Sequence, residues 1–120
     1  MQVGVIGSRG LNIDNLEDYL PRNTTAIVSG GAIGIDSCAA RFARRLGIKL
    51  IVFRPDYEHF GRSAPLRRNI EIIENSDIVL AFWDRKSRGT AFVISKCEEK
   101  NVPVKIFVPN EDGLFIPLEK

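Results

Sequence analysis

The sequence predicts a three-layer α/β/α fold, an open parallel sheet of about five strands with helices on both faces. Short apolar runs alternate along the chain with segments of 3.6-residue periodicity. Most of those runs are apolar at every position, as strands covered on both faces require. Polar loops rich in glycine or arginine follow the strands directly. With right-handed crossovers, all of these loops reach the C-terminal edge of the sheet, where such folds bind ligands.

The first strand spans 2–6, with VGVI at 3–6 expected at the centre of the sheet. It leads into Gly7-Ser8-Arg9-Gly10. The spacing of Gly4, Gly7 and Gly10 departs from the G-x-G-x-x-G dinucleotide fingerprint. A helix is expected from Asp14, as its cap, to Leu20 before Pro21. The stretch 25–47, TAIVSGGAIGIDSCAARFARRLG, holds the most information. Ala26, Ile27 and Val28 form a strand, a turn runs from Ser29 through Gly34, and a helix follows. Ile35, Ala39, Phe42 and Leu46 share one helical face, and Gly47 ends the helix where a left-handed residue is wanted. Residues 48–53 (IKLIVF) form the third strand, followed by a polar loop over 54–62. Ser63 caps a helix with Pro65 in its first turn, a buried stripe of Leu66, Ile70 and Ile73, and an end near Asn75. Residues 77–82 give the fourth strand and 83–88 a charged loop. Gly89-Thr90 opens a helix through Lys100, and 103–108 is the fifth strand. The tail, 109–120, holds a turn at 110–113 and a short antiparallel edge strand at 114–116.

The 120 residues make one domain, 1–120, with a single core. Hydrophobic residues at 44% and charged residues at 27% are ordinary for a soluble globular chain. A net charge of +2 does not announce a nucleic-acid binder, yet it permits local basic patches. Cys38 and Cys97, without metal-type spacing, read as free buried thiols. The N-terminus runs into a strand without a charged leader or signal core, and no apolar run approaches membrane-spanning length. The expected compartment is the cytoplasm, with no membrane partner.

The strongest functional signal is the strand, glycine turn and helix at 26–46. Free N–H groups at the helix start meet the positive end of its dipole, which suits an anion. Ser29, Gly30, Gly31, Ala32 and Gly34 therefore read as a phosphate cradle. The absence of Lys-Ser/Thr after Gly34 excludes the nucleoside-triphosphate P-loop. Asp36 is either a first-turn carboxylate stabilising the helix dipole or an acceptor for a ligand hydroxyl. Arg9, Arg54, Arg62, Arg85, Lys86 and Arg88 in the loops, with Arg67 and Arg68 on the third helix, make a basic rim suited to a phosphorylated ligand. Ser29 and Thr90 read as ligand contacts beside glycines. His59, the single histidine, reads as a surface residue. Phe82 and Trp83 either stack on a base or roof the core. No metal and no cofactor is expected.

Four motifs, GSR at 7–9, SGGAIGID at 29–36, RRN at 67–69 and GTA at 89–91, resemble in order and spacing those of the SLOG superfamily. This superfamily unites the DNA-processing protein DprA (Smf) with the LOG phosphoribohydrolases and small nucleotide-ligand sensors. The resemblance covers about residues 3–108 and is greatest to the small stand-alone members of bacteria and phages, the YspA type. It implies a Rossmann-like domain that binds a nucleotide-derived ligand through Gly7, Ser8, Arg9, Ser29, Gly30, Gly31, Ala32, Gly34, Asp36, Arg67, Arg68, Asn69, Gly89 and Thr90. The LOG motif PGGxGTxxE matches at Gly89-Thr90, but its glutamate position is Val93 and its lead is replaced by Lys86-Ser87-Arg88. The arginine that precedes it corresponds to Arg67 or Arg68. DprA's SGxAxGID and RN motifs, which line a groove for single-stranded DNA, match at 29–36 and at Arg68-Asn69.

The expected function is a sensor or binding module for a phosphorylated, nucleotide-derived ligand, acting as a homodimer or with a partner protein. The alternatives are an enzyme cleaving such a ligand and a weak binder of single-stranded nucleic acid. The enzyme needs a carboxylate near the ribose. Asp36, Asp56, Glu58 and Asp84 are the loop candidates. A DNA groove needs exposed aromatics along basic charge, for which Tyr57, Phe60 and Trp83 are the candidates.

Overall fold

The computed structural model describes residues 1–31 and 34–118 of the chain. The strands are β1 (Gln2–Gly7), β2 (Ala26–Ser29), β3 (Lys49–Val52), β4 (Ile78–Phe82), β5 (Val104–Pro109) and β6 (Phe115–Pro117). The helices are α1 (Ile35–Leu46), α2 (Tyr57–Phe60), α3 (Ala64–Glu74) and α4 (Arg88–Glu99). The sheet order is β3-β2-β1-β4-β5-β6. The first five strands are parallel, with Val3 opposite Ile27 and Val5 opposite Leu80, so β1 lies inside the sheet as expected. β6 pairs antiparallel with β5, Val108 opposite Ile116, after a turn in which the Asn110 side chain accepts from Asp112 N and Leu114 N.

The continuous apolar runs are explained by a core on each face. Val3, Val5, Ile27, Leu80, Phe82 and Phe107 face α1, which contributes Ile35, Ala39 and Phe42. Ile6, Val28, Val79, Ala81 and Ile106 face the opposite layer, where α3 supplies Ile72 and Ile73 and α4 supplies Val93 and Cys97. Both cysteines are free and buried, and burial pushes the Cys97 thiol up to about 11. Among the described residues no helix is long and apolar enough to cross a membrane.

Four expectations are corrected. The helix expected over 14–20 is only a 3₁₀ turn, Leu16–Asp18. Its would-be first turn is spent on other contacts: Ile13 N donates to Cys38 Sγ, Ile13 and Leu16 are buried in the core, and Asn15 Nδ2 makes a local bond to Asp18. The polar loop over 54–62 contains α2, capped by Asp56 accepting from His59 N, and a 3₁₀ turn at Gly61–Ser63. Ser63 occupies the N-cap position of α3, but its hydroxyl donates back to Phe60 O because the preceding turn runs straight into the helix. Leu46 and Leu66 are exposed, 53% and 41%, rather than core. Leu46 falls in the last turn of α1, and on α3 Ile72 joins Ile73 in the core.

Candidate functional site

Strand order creates the site. From β1 the chain crosses to β2 on one side, whereas β4, on the other side of β1, is followed by β5. Their crossing segments lie on opposite faces, leaving a crevice above the C-terminal ends of β1 and β4. A cleft of about 440 Å³ lies there. Gly7, Arg9 and Gly10 line it after β1, and Asp84, Ser87, Gly89 and Thr90 after β4. Asp36 comes from the start of α1, with Pro65, Leu66, Arg68 and Asn69 from α3. Ile6, Ile72 and Val93 make an apolar floor.

Gly30 and Gly34 pack against two of the residues that line this cleft, Arg68 and Arg9. Gly34 has φ +79°, and a Cβ there would lie 2.5 Å from Arg9 O. Only glycine lets the start of α1 press backbone to backbone against the loop after β1. At Gly30 the carbonyl accepts Arg68 Nη1 at 2.6 Å, and a Cβ would meet that same guanidinium at 2.5 Å. Gly31 points elsewhere, since its Cβ would meet Arg54 Nη1 and Val52 Cγ1, both at 3.0 Å. Ser29 is 1% exposed, and its hydroxyl has no hydrogen-bond partner among the described residues. Ala32 lies outside the described residues.

Arg68 is half-buried and fixed by two bonds, the one to Gly30 O and another from Nε to Asn69 Oδ1 at 2.8 Å. Burial lowers its pKa below the usual arginine value, Asp36 and Tyr57 oppose that shift, and the charge of Arg9 adds to it. The guanidinium stays charged, as arginine does throughout the working range. Among the described residues neither Arg9 nor Arg68 is held in an ion pair, so two neighbouring positive charges face one cleft. Arg67 turns away from it, its Cζ 4.5 Å from the centre of the Phe60 ring.

Across the cleft, a hydrogen-bond network shapes the loop after β4. Asp84 Oδ1 accepts from Lys86 N at 2.8 Å and Ser87 N at 2.7 Å. Arg85 at φ +69° supplies the sharp bend that this geometry needs. Buried Ser8 ties the loop to β1: its Oγ accepts from Asp84 N at 3.2 Å and lies 3.4 Å from Thr90 Oγ1. Thr90 Oγ1 in turn reaches Ser87 Oγ at 3.3 Å. Ser8 is therefore a brace beneath the cleft. Trp83 donates Nε1–H to Ser87 O, and Phe82 is wholly buried. Both aromatics thus belong to the scaffold. The Ser87 N–H, followed by the Lys86 N–H, holds the Asp84 carboxyl below its ordinary value, with partial burial opposing.

No protein-family model matches the chain. The Gene 61 protein of Mycobacterium phage D29 is 34% identical over 99 residues, covering 76% of this chain and 79% of that protein. The chain belongs to the family of that phage protein.

In this member of the phage Gene 61 protein family, the cleft brings together Gly7, Arg9, Asp36, Arg68, Asn69, Gly89 and Thr90 of the residues expected from sequence. Ser8, Ser29, Gly30, Gly31, Gly34 and Arg67 are not among its lining residues. Of the loop carboxylates, Asp36 and Asp84 line the cleft, whereas Asp56 caps α2 and bonds His59 Nδ1 at 2.7 Å on the surface. Gly10, Pro65, Leu66 and Ser87 were not legible as site residues, because their place depends on where α3 and α4 land. The signals that could have found Gly10 and Ser87 are the glycine after a strand end and the Ser-x-x-Thr spacing at 87–90. Among the described residues no group of three His, Cys, Asp or Glu side chains stands together to hold a metal.

Proposed function

We propose that the chain is a binding module of SLOG type for a phosphorylated nucleoside, with the phosphate held between Arg9 and Arg68. The observation that carries this reading is the pair of arginines, neither in an ion pair among the described residues, in a crevice at the β1/β4 switch point. The N-termini of α1 and α4 border the same cleft through Asp36 and Gly89, and helix starts favour anions. A cleft of about 440 Å³ is in the range of small-molecule sites. The catalytic glutamate of LOG enzymes has no counterpart here. Val93 stands in its place, 1% exposed in the floor, and binding without hydrolysis is the reading it favours.

Calorimetric titration with adenosine 5′-monophosphate tests this. A charge-assisted hydrogen bond contributes about 1.5–3 kcal/mol, so Arg68→Ala should weaken binding roughly ten- to a hundred-fold. Gly89→Val separates binding from folding, because a Cβ at Gly89 meets no atom within 4 Å and points into open space at the cleft. It should reduce affinity comparably while leaving the melting temperature near that of the wild type. Arg67→Ala, on the outer face of α3, should bind as the wild type does. Equal binding by all three folded variants would place the ligand elsewhere.

A further inference from the structure

We propose that Asp84 reads the sugar of the ligand, accepting a hydrogen bond from a ribose hydroxyl and so favouring ribo- over 2′-deoxyribophosphates. This rests on the phosphorylated-nucleoside reading above and adds a polarity to the cleft. Arg9 and Arg68 occupy the walls made by the β1 loop and α3, and Asp84 occupies the wall made by the β4 loop. A carboxylate repels phosphate, so the phosphate belongs at the arginines and the next group along the ligand, the sugar, meets Asp84. The side chain is fixed from both ends: Oδ1 takes the Lys86 and Ser87 N–H groups, and the main-chain N donates to Ser8 Oγ. Oδ2 takes neither turn bond, and the Ser8 side chain also acts on the carboxyl from the β1 side. An ionised carboxylate oxygen only accepts, and a sugar hydroxyl is the uncharged donor a sugar phosphate brings to it. The other carboxylate of the cleft, Asp36, is 8% exposed and acts electrostatically on Arg68, which leaves Asp84 for the sugar.

Asp84→Asn is the discriminating change. The asparagine oxygen can still accept from Lys86 N and Ser87 N, so the loop keeps its shape, while an amide group that donates takes the position of Oδ2. The experiment titrates wild type and Asp84→Asn with ribose 5-phosphate, 2-deoxyribose 5-phosphate, adenosine 5′-monophosphate and its 2′-deoxy analogue. The wild type should prefer each ribo form by roughly ten-fold or more. Asp84→Asn should lose that preference through weaker binding of the ribo forms, with the deoxy forms nearly unchanged. A wild type that binds ribo and deoxy forms alike overturns the proposal without recourse to any variant, as does an Asp84→Asn protein that keeps the preference. Binding that is sensitive to Arg68→Ala but blind to the sugar would leave the phosphate reading standing and remove this one. No binding of any of the four compounds would remove both.

Discussion

The carboxylate of Asp84 is held ionised chiefly by the Ser87 N–H, with the Lys86 N–H adding and partial burial opposing. Its folded pKa lies below the ordinary 3.8, so its contribution to stability is fully present above that value and is lost as pH falls through the lower, folded value. Asp56, lowered first by the His59 N–H, titrates with the same sign. Thermal melts from pH 7 down to pH 2 should therefore show the wild type losing stability below about pH 4 more steeply than Asp84→Asn, which has no proton to take up there. Parallel curves would mean that the two turn bonds do not distinguish ionised from neutral Asp84. Arg68 and Asp36, singled out by their neighbours in sequence, both line the cleft. Gly31, read as part of a phosphate cradle, would direct a Cβ toward Arg54 and Val52, a direction its sequence position does not reveal.

The segment between β1 and β2 shows where an element departs from its pattern. Ile13, Leu16 and Leu20 are spaced by three and four, which fits a helical face, yet the chain uses them as separate plugs into the core. Tyr19 then does the covering that a helix would have done. Its ring stands edge-on to Phe82, Phe107 and Phe115, at centroid distances of 5.5, 4.9 and 6.5 Å, and its hydroxyl donates to Phe115 O at 3.1 Å. This cluster ties the β1–β2 link to the antiparallel edge strand at the other end of the chain. Tyr19→Ala should cost about 2–4 kcal/mol in urea unfolding, as removal of a packed aromatic does. Tyr19→Phe, which loses one hydrogen bond, should cost about 1 kcal/mol. Equal costs for the two would show that the hydroxyl, and not the ring, holds the edge strand. The parallel strands were legible because most are apolar on both faces, with a single exposed lysine in β3 (Lys49) and in β5 (Lys105). The short helix α2 was not, since four residues capped by a local Asp56 bond leave no periodicity to read.

For the molecule as a whole, the alternation of strands and helices was enough to expect a parallel sheet with β1 inside it and ligand loops on one edge. The cleft itself needed the strand order, because only the placement of β4 beside β1 brings Asp84 opposite Arg68. That same order concentrates positive charge. The net charge is only +2, but Arg9, Arg54, Arg62, Arg67, Arg68, Arg85, Lys86 and Arg88 all follow parallel strands or lie on the helices and turns beyond them. Two exposed aromatics, Tyr57 at 59% and Phe60 at 41%, stand on α2 near them, and Arg67 lies over the Phe60 ring. A polyanion should feel this edge, though with two such rings there is little for its bases to stack on. Binding to single-stranded DNA should therefore be governed by phosphate contacts, with a dissociation constant of about 10⁻⁴–10⁻⁶ M at physiological salt and a steep loss as salt rises. Anisotropy titrations of a labelled oligonucleotide across a salt series check both features. Adding the nucleoside monophosphate should displace little of the DNA if the strand lies along the rim, and most of it if the strand enters the cleft. Sub-micromolar, length-dependent binding that is insensitive to salt would mean that base stacking on Tyr57 and Phe60 dominates, and nucleic acid would then replace the small nucleotide as the principal ligand.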